Sequence, residues 1–263
     1  MLRDRFLSAL VLAPLVIGLA YLGGLWFLGL ILLVGVLAAW EYFLLLAQGG
    51  HTPLRWLGLA AVVIIIAEAH WAQGWSLRLV LTALILVSLS AALFRTTHAP
   101  VTDWAWTLAG VIYFGLLLNH FVALRNLPSG LQWLLLALLL TWITDTGAYF
   151  SGRALGRHKL WPRHSPKKTW EGALGGWLVG VVAGAFLGPW LVGQSWWAGA
   201  TLAGLVCLIA PFGDLAESMV KRQMGAKDSS HLIPGHGGVW DRIDSLLFVV
   251  PVVYYWASLI GAS

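Results

Sequence analysis

Leu25-Trp-Phe-Leu-Gly-Leu-Ile-Leu-Leu-Val-Gly-Val-Leu-Ala-Ala-Trp-Glu-Tyr-Phe-Leu-Leu-Leu46 contains a single charged residue, Glu41. As a helix it is about 33 Å long at 1.5 Å per residue, enough to cross a hydrocarbon core of about 30 Å. Eight further apolar runs lie at about 6–22, 54–71, 77–94, 104–124, 131–150, 173–192, 196–214 and 244–260. Lipid offers the backbone no hydrogen-bonding partners, so each run is expected to be helical. The chain reads as an all-α polytopic integral membrane protein with about nine transmembrane helices.

Composition agrees. Of 263 residues, 59% are hydrophobic and 10% charged, where a soluble globular domain carries roughly 25% charged residues. The runs leave no room for a separate soluble domain, so 1–263 reads as a single membrane domain. Arg3 and Arg5 precede an apolar stretch, as in a secretory signal. That run is long, lacks a small-x-small cleavage site and leads straight into another span, so it reads as a retained helix. The single Cys207 lies within the eighth run, which excludes an internal disulfide and makes it a small core residue. No internal repeat and no inverted pair of broken helices is present, which argues against a transporter.

Orientation follows from lysine and arginine. With the N-terminus in the cytoplasm, Arg3, Arg5, Arg55, Arg95, Arg153, Arg157, Lys159, Arg163, Lys167, Lys168, Lys221, Arg222, Lys227 and Arg242 fall on the cytoplasmic side. Only Arg78 and Arg125 fall on the other, a strong positive-inside bias. Trp26, Trp71, Trp133, Trp190 and Trp256 lie at the expected outer ends, where such rings anchor helices to the headgroup layer. The net charge of +5 is met by an anionic inner leaflet and calls for no nucleic acid.

This topology puts the two most polar loops, 151–172 and 216–243, on one face, free to form a shared catalytic site. In the first, Ser165-Pro166 reads as a helix start, with Ser as N-cap and Pro in the first turn. Lys167 and Lys168 would then sit where the helix dipole disfavours cations, a penalty that a bound polyphosphate would reverse. Asp145, near the cytoplasmic end of the sixth span, is costly there unless paired, metal-bound or near water. Glu41 is expected at the inner interface beside Arg55 and Glu68 near the outer one, neither with assigned chemistry.

The second loop is more specific. Ser218 to Asp244 packs seven charged residues into an otherwise oily chain that has 16 Lys and Arg and 11 Asp and Glu in all. Asp214, Glu217, Ser218 and Lys221 recur at i, i+3, i+4 and i+7, so one helix face carries them. Pro234-Gly-His236-Gly237-Gly238 then turns the chain and lets backbone approach a ligand. Asp241 and Asp244 follow at i, i+3. Carboxylates from two helix ends suit a hard cation such as Mg2+, which takes oxygen ligands and keeps substrate phosphates in its shell. A capping role would account for Asp241 or Asp244, but not for both together with Asp214. Lys221, Arg222, Lys227 and Arg242 supply positive charge for a nucleoside triphosphate. His236 has no second His or Cys at ligand spacing, so it reads as a phosphate contact or turn residue rather than a zinc ligand.

Ser218 to Asp244 resembles, position by position, the pattern of phosphatidate cytidylyltransferases, also called CDP-diacylglycerol synthases: Ser-x-apolar-Lys-Arg, four residues, Lys-Asp, then apolar-Pro-x-His-Gly-Gly-apolar-x-Asp-Arg-apolar-Asp. Asp145-Thr-Gly-Ala-Tyr and Ser165-Pro-Lys-Lys-Thr-Trp-Glu-Gly also look like that family. Together these motifs cover about a quarter of the chain. The resemblance implies transfer of CMP from CTP to phosphatidate, with release of pyrophosphate. It implies Mg2+, with room for a second cation, and CTP, phosphatidate and membrane lipids as partners. A homodimer is compatible with it, and the membrane implied is the bacterial cytoplasmic one.

A phosphate monoester is already an anionic nucleophile, so the reaction needs charge neutralisation and positioning more than a strong base. On that reading Asp214, Asp241 and Asp244 are expected around the metal, with Glu217 and Asp145 as further ligands. Asp214, Asp241, Lys168, Lys221 and Arg222 are the expected catalytic set. Ser218, Lys227, Asp228, His236, Gly237, Gly238 and Arg242 are expected on the substrates. The alternatives are another CTP-dependent lipid enzyme, such as a polyprenol kinase or an ether-lipid cytidylyltransferase, and remotely an ion transporter.

Overall fold

The computed structural model describes residues 14–71, 76–162, 165–230, 232–233 and 237–260. In chain order the elements are α1 (residues 14–22), α2 (Gly24–Gln48), α3 (Arg55–Trp71), α4 (Ser76–Leu93) and α5 (Pro100–Gly110). A π-helical turn (Val111–Leu116) joins α5 to α6 (Leu117–Asn126). Then come α7 (Gly130–Leu155), β1 (Lys159–Trp161), β2 (Ser165–Thr169), α8 (Trp170–Val192), α9 (Trp196–Gln223) and α10 (Trp240–Ile260). Among the described residues the regular elements are helices, apart from one two-stranded hairpin and an isolated bridge between Ile233 and Gly237, and the protein is a polytopic membrane protein.

Six helices among the described residues are long and apolar enough to cross a bilayer: α2, the continuous rod Pro100–Asn126, α7, α8, α9 and Trp240–Leu259 of α10. The other expected runs are also helical but shorter. α3 has 17 residues, and the apolar part of α4 is Leu77–Leu93. The expected first run, 6–22, lies partly outside the described residues.

Chain contacts define two compact units. The first comprises Met1–Asn126 with Gln223–Arg242, the second Leu127–Arg222 with Ile243–Ser263. In the first, Ala38, Val62, Ile65, Ile66, Val111, Phe114 and Leu118 are fully buried. Tyr42, Phe114 and Trp240 form an edge-on aromatic cluster with ring centroids 5.3–5.6 Å apart. The 49–54 loop is tied to α5 by Asp103, which accepts hydrogen bonds from Thr52 N at 2.9 Å and Thr52 Oγ1 at 2.5 Å. Arg125 donates to the carbonyls of Ala20 and Tyr21 at the end of α1, where a cation complements the helix dipole.

The second unit is organised by a stripe on α8. Gly172, Gly176, Gly180, Gly184 and Gly188 are all buried at four-residue spacing, so they share one face. In lipid, helices associate by close van der Waals packing, and small residues let the backbones approach. A methyl at Gly176 would lie 2.6 Å from Thr144 O of α7, and one at Gly184 would lie 2.6 Å from Gly199 O of α9. The stripe thus seats α8 against both neighbours.

The hairpin corrects one sequence expectation. Ser165-Pro166 does not start a helix: Ser165–Thr169 is a strand, antiparallel to β1, with Lys159 opposite Thr169. The N-cap is Thr169, whose hydroxyl accepts from Gly172 N at 3.2 Å. This choice puts Glu171 rather than two lysines in the first turn, as the dipole favours.

The stripe predicts opposite signs for one substitution. Gly184→Ala should cost about 1–3 kcal/mol by overpacking. Gly204→Ala, whose added methyl would find its nearest neighbour at 3.7 Å, should gain up to about 1 kcal/mol from helix propensity. Unfolding of both variants in detergent micelles measures the contrast.

Candidate active site

α9 runs unbroken through Gln223, so Asp214, Glu217, Ser218 and Lys221 do share a face. Ser218 Oγ donates to Asp214 Oδ1 at 3.2 Å, and Lys221 Nζ lies 3.1 Å from Glu217 Oε1. Glu217 and Lys221 are buried, with 1% and 7% exposure. Asp244 reaches them because Gly213 lets α9 and α10 touch backbone to backbone. A methyl there would collide with the Asp244 carbonyl oxygen and come within 2.8 Å of Ser245 Cα. Ligand atoms of Asp214, Glu217 and Asp244 accordingly all lie within 4.8 Å of one another, a group able to hold a metal ion.

Three carboxylates so close need positive charge. At an effective dielectric of about 20, two unit charges 4.8 Å apart repel by about 3.5 kcal/mol. Lys168 provides part of the compensation: its Nζ lies 2.6 Å from Asp214 Oδ2 and 3.5 Å from Pro211 O. β2 and the Thr169 cap aim this lysine, which a helix starting at Ser165 would have placed differently. Asp145 on α7 lies within electrostatic reach of both Lys168 and Asp214. The oxygen-only donor set, and its spacing, fit a hard cation of the Mg2+ or Ca2+ kind better than zinc.

Apart from Arg222, the remaining expected residues belong to the 223–242 segment, in the first unit. Asp241 Oδ2 accepts from Ser229 N at 3.0 Å, Ser229 Oγ at 2.8 Å and Gly238 N at 2.8 Å. Lys227, Asp228 and Arg242 are exposed, as is Arg222 at the end of α9. Gly237 has φ 83°, a conformation that favours glycine, and a methyl on it would lie 2.8 Å from Asp241 Oδ2. Gly238 is buried, with no room for a methyl beside Ser229 Oγ and Glu41 Oε2. His236, like Arg163, lies outside the described residues.

Two carboxylates without a role in the sequence reading hold the polar segments in place. Glu41 is 3% exposed. It accepts from Ser230 Oγ at 2.6 Å, Ser229 Oγ at 3.0 Å, and the Val239 and Trp240 amides at 2.9 Å each. It therefore caps the start of α10 from a helix about two hundred residues away in sequence. Arg55, expected beside it, instead lies over the rings of Trp40 and Trp56, at 4.6 and 5.0 Å. Glu171 clasps the hairpin, accepting from Arg157 N at 3.1 Å, His158 N at 3.2 Å and His158 Nδ1 at 2.5 Å. A carboxylate inside an apolar run was the available signal for Glu41, since it must find partners. Nothing local identifies donors that lie so far along the chain.

Helices long and apolar enough to cross a membrane, and a half-buried group of acids able to hold a metal ion with a lysine beside it, define an integral membrane protein with a candidate active site. The sequence profile of the cytidylyltransferase family matches residues 3–260, and the chain belongs to that family. Among curated relatives, the phosphatidate cytidylyltransferase of Brucella suis biovar 1 is 34% identical, covering 98% of this chain and 94% of the relative. That of Synechocystis sp. is 35% identical, covering 98% and 97%. That of Staphylococcus epidermidis is 36% identical over 74% of this chain and 75% of its own.

Glu41 generates a stability prediction. Glu41→Ala leaves several buried donors without an acceptor at about 1–3 kcal/mol each, so a loss of at least about 3 kcal/mol is expected. Glu41→Gln keeps one carbonyl acceptor and should lose less. Unfolding in detergent, with protease cleavage between residues 224 and 239 as a local probe, distinguishes the two.

Proposed function

We propose that this protein transfers CMP from CTP to the phosphate of phosphatidate, giving CDP-diacylglycerol and pyrophosphate. The observation that carries the reading is the Asp214, Glu217 and Asp244 cluster with Lys168 at its edge, in a chain of the cytidylyltransferase family. A phosphatidate oxygen forms a bond to the α-phosphorus of CTP, and the bond from that phosphorus to the bridging oxygen of the β-phosphate breaks. Nucleophile and leaving group are both anions, so no side chain has to remove a proton from a neutral alcohol. The site accordingly needs cations and positioning rather than a nucleophile-histidine-acid triad.

Mg2+ is the proposed cation, held by Asp214, Glu217 and Asp244, where it would neutralise phosphate charge and act as a Lewis acid. Lys168 is proposed to hold a substrate phosphate, exchanging its contact with Asp214 for one with the substrate. Lys221 keeps the buried Glu217 charge balanced within α9. Arg222, Lys227 and Arg242 are exposed bases proposed as further phosphate contacts. Asp241 is proposed to order the 229–238 turn, given its three donors there. Asp145 remains a candidate for a second cation through its proximity to Asp214.

The basic residues support a location in a bacterial cytoplasmic membrane, with the polar loops in the cytoplasm. Cysteines placed at Lys159 and Lys227 in a Cys207→Ala background should then react with an impermeant thiol reagent from the cytoplasmic side only. Labelling of the two from opposite sides would overturn the orientation.

Purified protein given α-labelled CTP, phosphatidate and Mg2+ should move label into extractable lipid and release pyrophosphate. Transfer of γ-label to lipid would instead make the protein a kinase. Chelation of divalent cations should abolish the transfer. Asp214→Asn and Asp244→Asn keep side-chain shape but remove ligand charge, and should lower turnover at least about a hundredfold, near 2.7 kcal/mol of transition-state stabilisation. Retention of more than about a tenth of wild-type turnover by both, at saturating Mg2+, would sink the ligand assignment.

A further inference from the structure

We propose that the groove between α8 and α9 receives an acyl chain of the lipid substrate and so sets which chain lengths are accepted; this rests on the cytidylyltransferase reading. A cavity of about 690 Å³ lies against these helices, lined by Trp170, Leu174 and Trp177 of α8 and Leu208, Phe212 and Leu215 of α9. That volume is in the range of ligand pockets generally, about 300–1,000 Å³. From Trp170 to Trp177 the wall extends about 10 Å along α8 at 1.5 Å per residue. Its rings and branched chains remain open to the lipid side, with Trp170 61%, Leu174 60% and Phe212 52% exposed.

One end of the groove is joined to the charged cluster. Trp170 comes two residues after Lys168, Leu215 directly follows Asp214, and Pro211, which lines the cavity, offers its carbonyl to Lys168 Nζ. Leu160 and Trp161 of the hairpin also border the cavity. The groove therefore has a charged mouth, where Glu171 lines the cavity and Lys168 pairs with Asp214 beside the carboxylates proposed to hold the cation, and an apolar trough. With the cation bound, that is the complement of a molecule with a phosphate head and hydrocarbon tails. Trp177 stands at the far end, its indole N–H fixed by Gly204 O at 3.0 Å. A fixed ring there limits depth, and the groove's openness to lipid lets a chain enter sideways without passing through water.

The test compares dipalmitoyl and dioctanoyl phosphatidate in mixed micelles. Leu174→Trp and Leu208→Trp, which fill the trough, should lower kcat/KM for the dipalmitoyl substrate about tenfold or more, as for mismatched apolar pockets. The dioctanoyl substrate should lose less than about twofold, and KM for CTP should stay unchanged. Phe212→Ala, which widens the trough, should shift preference toward longer chains. Val182→Trp, an exposed position on α8 away from the cavity, should leave the chain-length profile as in the wild type.

Equal losses for both substrates, or no change in any trough variant, would overturn the acyl groove. So would efficient disulfide cross-linking of two copies through Leu174→Cys in a Cys207→Ala background, since a second copy would then cover the trough. Wild-type protein that makes no CDP-diacylglycerol from either substrate would count against the enzymatic reading itself, which separates the two failures.

Discussion

A methyl group at Gly213 would strike the carbonyl of Asp244, so α9 and α10 meet there backbone to backbone. The acidic cluster depends on that contact. The Gly213 contact sets Asp244 beside α9, and ligand atoms of Asp214, Glu217 and Asp244 lie within 4.8 Å of one another. Such approach is available in lipid to chains that present glycine, because packing rather than exclusion of water holds helices together there. The glycine stripe of α8 extends the same device, seating α8 on α7 and α9. That placement brings the Thr169 cap, and with it Lys168, to the edge of the cluster.

Buried and half-buried acids in this protein are held in different ways. Glu41 is surrounded by neutral donors, two hydroxyls and two amides, which satisfy its oxygens and leave little reason to bind a cation. Asp241 likewise has one oxygen fully engaged by the turn it faces. Asp214, Glu217 and Asp244 instead lie against one another, with Lys168 beside Asp214 and Lys221 beside Glu217. Oxygen ligands grouped in this way are able to hold a divalent cation.

The helices were legible because lipid reduces backbone choice to one hydrogen-bonded form, so length and polarity suffice to locate them. The shared face of Asp214, Glu217, Ser218 and Lys221 was legible for a similar reason, since helical periodicity fixes it once α9 is granted. Ser165-Pro166 failed as a helix start because a local N-cap pattern cannot register the pairing of Lys159 with Thr169 across the hairpin. The two lysines after it were the warning, and they pointed to the true start at Trp170 as well as to phosphate. The role of Glu41 was not legible for another reason. Its partners lie about two hundred residues along the chain, which neither composition nor spacing reveals, whereas the four-residue spacing of the α8 glycines was readable as a packing face.

Asp241 and Asp244 lie one helical turn apart on α10, yet their surroundings divide the labour between loop and cluster. A motif that reads as one continuous pattern thus serves two physical ends: Asp241 ties Ser229 to Gly238, and Asp244 completes the acid group with α9. In a reaction between two polyanions, repulsion must be offset before the reacting atoms meet. Preorganised charge does this without reorganisation at the moment of transfer. The absence of any need for a strong base explains why the described site is rich in acids and lysines, with the chemistry placed where helix ends, rather than a soluble domain, bring them together.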